Sequence, residues 1–162
     1  AVVVSRKIAD FFQQHPIGFG FTSGGQPLGF AACLAVIETI RAEGLVDNAR
    51  RIGAILEGEL ARLEERHPSV GHVHGRGLWW FLELVRDRQS KAPLGSAAAS
   101  HNMVKSGIAE EMRQFMARRG LLCHASGSLV RIQPPLIVSE AQLREGLAIV
   151  DAALDLADAA AG

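Results

Sequence analysis

Two stretches of this sequence carry residues whose types and spacing suit the binding of small anions. The first is Gly18 to Pro27, GFGFTSGGQP. Its glycines free backbone N–H groups to approach a ligand, and Thr22 and Ser23 add hydroxyl donors. The loop runs into a helix that Pro27 opens, and the positive end of a helix dipole favours an anion such as phosphate. The spacing fits neither a Walker loop nor a dinucleotide fingerprint. On composition alone a plain connecting loop is the stronger reading. The second stretch is Val130-Arg131-Ile132-Gln133-Pro134-Pro135. An arginine inside an apolar strand is costly unless its guanidinium is paired. Facing a cavity, it would grip a carboxylate through two parallel hydrogen bonds. On the residues alone, an internal ion pair with Glu83 or another acid is the stronger reading.

Other reactive residue types give weaker signals. Trp79 and Trp80 adjoin Gly75-Arg76-Gly77 and, in a strand, point to opposite faces. His72 and His74 share a strand face, but no third ligand has metal-site spacing, so no metal is expected. Cys33 and Cys123 form no CxxC pair and read as buried free thiols. Lys7, Lys91 and Lys105 lie in an amphipathic helix or in or beside a polar loop and read as solvated. No nucleophile elbow surrounds a serine or cysteine.

The elements that hold these residues follow from periodicity. Val2 to Val4 reads as a strand buried on both faces, and Ser5 caps a short helix through Phe12. An Ala-rich helix runs from Pro27 to about Ala42 and ends at Gly44. Asp47 is expected to cap the next, with Ile52, Ile55, Leu56, Leu60 and Leu63 on its apolar face until His67-Pro68. Strands are expected at Val70 to His74, Leu78 to Val85, Leu121 to His124 and Leu129 to Ile132. A helix begins near Ile108 and ends at Arg118-Arg119-Gly120. Ser139 and Gln142 form a capping box for the last helix. Arg86 to Gly107 reads as a long loop. From Ser69 onward the order strand, strand, helix, strand, strand, helix predicts an α+β layer: a four-stranded open sheet with helices on one face.

Bulk properties exclude several classes. The 162 residues are 48% hydrophobic, enough for a core. Lys plus Arg equals Asp plus Glu at 17, so charge offers no argument for nucleic acid or an anionic membrane. No apolar run approaches the roughly 20 residues of a membrane span. The start has no signal-peptide pattern, and the cytoplasm is the expected compartment. The chain opens on Ala1-Val2-Val3-Val4 without an initiator Met and reads as a piece of something longer.

Taken in order, these segments resemble the class III (omega-amino acid type) pyridoxal-phosphate-dependent aminotransferases, in their C-terminal portion. AVVVSRKIADFF resembles the segment after that family's cofactor lysine. GFTSGGQPLGFAACLAVIETIRAEGLVDNA resembles its His-Gly-x-Thr-Tyr-Ser-Gly-His-Pro-Leu loop and the helix that follows. HPSVGHVHGRGLWWFLELVRDRQSKAPLG is similar to the start of its small domain, and LVRIQPPLIVSEAQLREGL resembles its Arg-x-x-Pro-Pro-Leu ending. The sequence departs at Ser23-Gly24, where the family has an aromatic-Ser pair, at Gln26, where it has His, and at Phe19, where His often precedes the glycine.

The resemblance implies a small C-terminal domain of a fold-type-I enzyme, with interdomain helices and a remnant strand of the large domain. Residues 1–25 would belong to the large cofactor domain with its phosphate-contact loop, 26–68 to interdomain helices and 69–162 to the small domain. It implies pyridoxal 5'-phosphate as cofactor, an amino acid or amine (an omega-amino acid in the branch favoured by LWWFLELVRDRQSKAPLG) and a 2-oxo acid as substrates, and a homodimer. Thr22, with Ser23 beside it, would bind cofactor phosphate of the neighbouring subunit, and Arg131 would bind the substrate carboxylate. The Schiff-base lysine lies upstream in the family and matches none of the three lysines here, so the chain alone is expected to be inactive. The alternatives are a non-catalytic α+β binding or assembly domain, and a decarboxylase or aminomutase on the same scaffold.

Overall fold

A computed structural model describes residues 3–18, 20, 22, 24–95 and 107–162. The chain forms two compact units, Ala1–Thr39 and Ile40–Gly162. The first holds α1 (Arg6–Gln14) and most of α2 (Pro27–Ala42), and neither helix has a buried residue. At the end of α1, Phe11 stacks on the C-cap His15 at i,i+4 spacing, with ring centroids 4.4 Å apart. Of the expected opening strand, Val3 and Val4 form no regular element and Val2 lies outside the described residues. A buried strand needs ladder partners on both sides, and none is present among the described residues.

The second unit contains α3 (Leu45–Arg66), β1 (Val70–Arg76), β2 (Trp79–Asp87), β3 (Ala92–Pro93), α4 (Ile108–Arg118), β4 (His124–Ser126), β5 (Leu129–Ile132) and α5 (Glu140–Ala161). Its sheet is antiparallel, in the order β1-β2-β5-β4, with the two-residue β3 added beside β2. The α+β layer expected from the sequence is therefore present. Alternation along β2 buries Trp80, Leu82 and Leu84 against Ile52 and Leu56 of α3, Met112 of α4 and Leu154 of α5, all in one core. The opposite face carries Trp79, Phe81 and Glu83, which stay half-buried or exposed. Trp79 and Trp80 thus part to opposite faces, and the buried Trp80 donates from Nε1 to the Gly77 carbonyl at 2.8 Å.

Several boundaries differ from the sequence reading. Gly44, at φ 61, caps α3, and Asp47 lies inside the first turn. The left-handed Gly44 follows the end of α2 at Ala42 after one residue, Glu43, and itself opens α3. Part of the expected loop after Arg86 is ordered as the end of β2 and as β3, while 96–106 lie outside the described residues. The fourth strand begins at His124, not Leu121. Leu122 is 93% exposed, so the apolar run Leu121–Cys123 does not continue the ladder. At the C-terminus of α3, Arg88 donates from Nη2 to the Glu64 carbonyl, from Nη2 to His67 O at 2.7 Å and from Nε to Val70 O at 3.1 Å. Carbonyls that a helix end leaves unpaired are thereby satisfied.

Candidate functional site

Arg131 sits in β5 between two buried neighbours, Val130 and Ile132, so strand alternation turns it away from the core. Its backbone is in register with Phe81 of β2 on one side and His124 of β4 on the other. Phe81 is in register with His74 of β1. His74, Phe81, Arg131 and His124 therefore form one row across four strands.

The expected partner of Arg131 does not pair with it. Glu83 lies 3.6 Å from Nδ1 of His74, and Arg131 takes part in no ion pair among the described residues. Its Nε is buried without a hydrogen-bond acceptor. An orphaned buried donor costs on the order of 1–3 kcal/mol, and a ligand oxygen would satisfy it. The guanidinium carbon stands 5.9 Å from the centre of the Phe81 ring.

Arg131 also borders a cleft of about 370 Å³ with Cys123, His124, Pro134, Gln142 and Leu147. The segment after β5 is held in place by Asn48, whose Nδ2 donates to Leu136 O at 2.7 Å and Val138 O at 3.1 Å. Cys123 donates from its thiol to Arg131 O at 3.3 Å, and burial pushes that thiol up to about 11. It is a packed thiol and not a nucleophile.

Thr22 occupies an exposed turn, followed by Gly25 at φ 78 and the first turn of α2 at Pro27. Ser23 and Phe19 lie outside the described residues. A hydroxyl ahead of a helix N-terminus is a donor set suited to a phosphate. Lys91 is not simply solvated: its Nζ donates to Gly71 O at 2.7 Å. Cys33, expected to be buried, is exposed because α2 packs none of its residues away.

Some grouped residues had no signal in the sequence. His67 is buried between Asp151 and Asp158 of α5, with Ser69 also bonded to Asp158. His67, Asp155 and Asp158 have metal-ligand atom types in proximity, but hydrogen bonds already account for the buried His67 and the half-buried Asp158. His72 stacks on His74 at 5.4 Å, on the strand face that they were expected to share, and His74 stacks on Phe81 of the next strand at 5.3 Å. The alternating pattern of β1 and β2 is the signal that could have found the second stack.

The family model for aminotransferase class-III matches residues 1–154. The chain belongs to the class-III aminotransferases. This family comprises pyridoxal-phosphate-dependent transaminases. The acetylornithine aminotransferase of Gloeobacter violaceus is 41% identical over 131 residues, covering 80% of this chain and 28% of that protein. An (S)-enantioselective omega-transaminase from Thermomicrobium roseum superposes with a TM-score of 0.77 at 34% identity, over 94% of this chain and 32% of that one. The taurine:2-oxoglutarate aminotransferase of Bifidobacterium kashiwanohense, solved with PLP and glutamate, shares the fold at a TM-score of 0.81 and 24% identity, over 96% of this chain and 34% of that one. The class-III chain thus spans about a third of the length of the relatives it matches.

Proposed function

We propose that this chain supplies the substrate-carboxylate wall of a pyridoxal-phosphate-dependent transaminase that moves an amino group between an amino acid or amine and a 2-oxo acid. The observation that carries the reading is Arg131: it borders a cleft, has no ion pair among the described residues, and keeps its Nε buried without an acceptor. A substrate carboxylate supplies the missing acceptor and neutralises the guanidinium. The similarity to a 4-aminobutyrate aminotransferase supports an omega-amino acid as donor, whose carboxylate Arg131 would hold.

Thr22 is the residue proposed to hold the cofactor's phosphate, with Ser23 next to it, across the interface of a homodimer. The exposed turn ahead of α2 supports this. The exposed Leu28, Phe30 and Leu34 of α2 support a second copy as the dimer partner. When bound, pyridoxal phosphate supplies the carbonyl carbon that accepts and releases the amino group and a ring that draws off negative charge. Arg131 orients the substrate by its carboxylate, so that the amine is presented to the cofactor in one direction. The cofactor lysine is proposed to lie outside these residues, because Lys7, Lys91 and Lys105 match no such position. The 162 residues alone would then not transaminate. Among the described residues no helix is long and apolar enough to cross a membrane. The free Cys33 and Cys123 fit the proposed cytoplasmic location.

The test combines this chain with the segment encoded upstream in its reading frame and adds pyridoxal phosphate. Visible absorbance and amino transfer from an omega-amino acid to a 2-oxo acid are expected. Arg131→Ala should raise KM for carboxylate-bearing donors and spare an amine without a carboxylate. Equal loss on both substrates would reduce Arg131 to a structural residue.

A further inference from the structure

The row His74–Phe81–Arg131–His124 contains no acid, yet Glu83 stands on the same sheet face. In the ladder Glu83 is opposite Leu129, two residues from Arg131, which makes it a diagonal neighbour of that arginine. Diagonal neighbours lie roughly 7–8 Å apart at Cα, within reach of two long charged side chains. Glu83 nevertheless turns toward His74, 3.6 Å from its Nδ1, an ion pair when that imidazole is protonated. Phe81, in register between His74 and Arg131, has His74 stacked on one side at 5.3 Å and 18° between planes. His72 extends the stack, and the Trp79 ring lies 6.4 Å from Phe81. On its other side Phe81 meets the Arg131 guanidinium at 5.9 Å, near the outer limit of about 6 Å for attraction between a cation and a ring face.

These contacts give a division of labour. A guanidinium tied to a fixed carboxylate is already neutralised and binds a second one poorly. A guanidinium resting on an aromatic ring is oriented without losing its charge. We propose that Phe81 and His74 are positioning residues for Arg131. Phe81 provides the ring beside which the guanidinium is held, and His74 draws Glu83 away so that the guanidinium stays free for a substrate carboxylate. This rests on the reading of Arg131 as the carboxylate grip, and extends it to two residues that do not touch substrate.

The experiment follows the Arg131 Nε–H resonance of the 162-residue chain by NMR during titration with propionate. In the unsubstituted chain the resonance carries the ring-current shift of Phe81 and moves as propionate binds. Phe81→Leu should abolish the ring-current shift and weaken propionate binding by roughly two- to five-fold, and Phe81→Tyr should restore both. His74→Ala should release Glu83 to compete for Arg131 and weaken binding, and the added change Glu83→Gln should recover it. A purely structural role for His74 would not be rescued by Glu83→Gln. Propionate binding that is unchanged in Phe81→Leu and in His74→Ala overturns the proposal while leaving Arg131 as the grip. No propionate binding by the unsubstituted chain sinks the grip itself, and the positioning role with it.

Discussion

Nδ1 of His67 lies 2.7 Å from Oδ2 of Asp158, a bond that spans 91 positions and fastens the end of α3 to α5. Nε2 of the same ring lies 2.7 Å from Oδ1 of Asp151, and Arg66 reaches the other oxygen of Asp151 at 2.7 Å. The ring is 1% exposed. His67→Ala removes the only residue bonded to both aspartates among the described bonds, leaving Asp151 with Arg66 and Asp158 with Ser69 around an emptied buried site. A loss of about 3 kcal/mol is expected, read from urea unfolding of the chain. A loss under about 1 kcal/mol would mean that His67 is not what fastens the two helices.

Asp158 gives this joint a pH dependence. Its burial pushes the carboxyl up, but hydrogen bonds from Ser69 and His67 outweigh that and hold it below its ordinary value of 3.8. A carboxyl lowered by folding stabilises the fold above its unfolded value, and that contribution fades as pH falls through the folded one. Melting temperature should therefore drop on acidification below about 3.8. Asp158→Asn should start lower and fall less steeply over that interval. Parallel curves for the two proteins would remove Asp158 from the acid response.

Gly53 and Gly58 share α3 but should respond oppositely to alanine. A Cβ on the buried Gly53 would come 2.8 Å from both the Cα and the carbonyl oxygen of Gly77, which turns between β1 and β2 at φ 59. Backbone cannot move aside cheaply, so Gly53→Ala should destabilise by about 1–3 kcal/mol. Gly58 meets nothing within 4 Å, and Gly58→Ala should stabilise by about 0.5–1 kcal/mol through helix propensity. Thermal unfolding of the two variants checks both signs.

The two thiols should separate by reactivity. With its thiol pushed up to about 11 by burial, Cys123 should resist iodoacetamide at neutral pH, while the exposed Cys33 is alkylated. Peptide mass analysis after a short exposure reads the order. Cys123 modified first would contradict its packing beneath Arg131.

The parts of this fold that could be read from the residues were those with a local cause. Leu60 and Leu63 repeat at helical spacing and are buried where α3 needs them. Ser139 and Gln142 bond reciprocally as a capping box, because a box is encoded within four residues. Arg131 stood out because a charge among Val130 and Ile132 violates the strand's pattern, and strand alternation then fixed its face. His67 could not be identified in this way. Its partners Asp151 and Asp158 sit on an ordinary-looking helix face 84 and 91 positions away, and only the packing of that helix brings them together. Asp47 failed as a cap for a simpler reason: Gly44, three residues earlier, takes a backbone conformation that other residues reach only at a cost. The pairing of Glu83 with His74 instead of Arg131 was also hidden, since both choices lie on the same sheet face and a one-dimensional pattern does not rank them.

The apolar side chains of α2 are not gathered into a stripe. Leu28, Phe30, Leu34, Val36 and Ile37 point around the whole circumference of the helix, and all are wet. A single flat surface laid along one flank would dry only some of them. By general rule a helix apolar on every side is one that folding buries, whereas α2 keeps that whole surface in water.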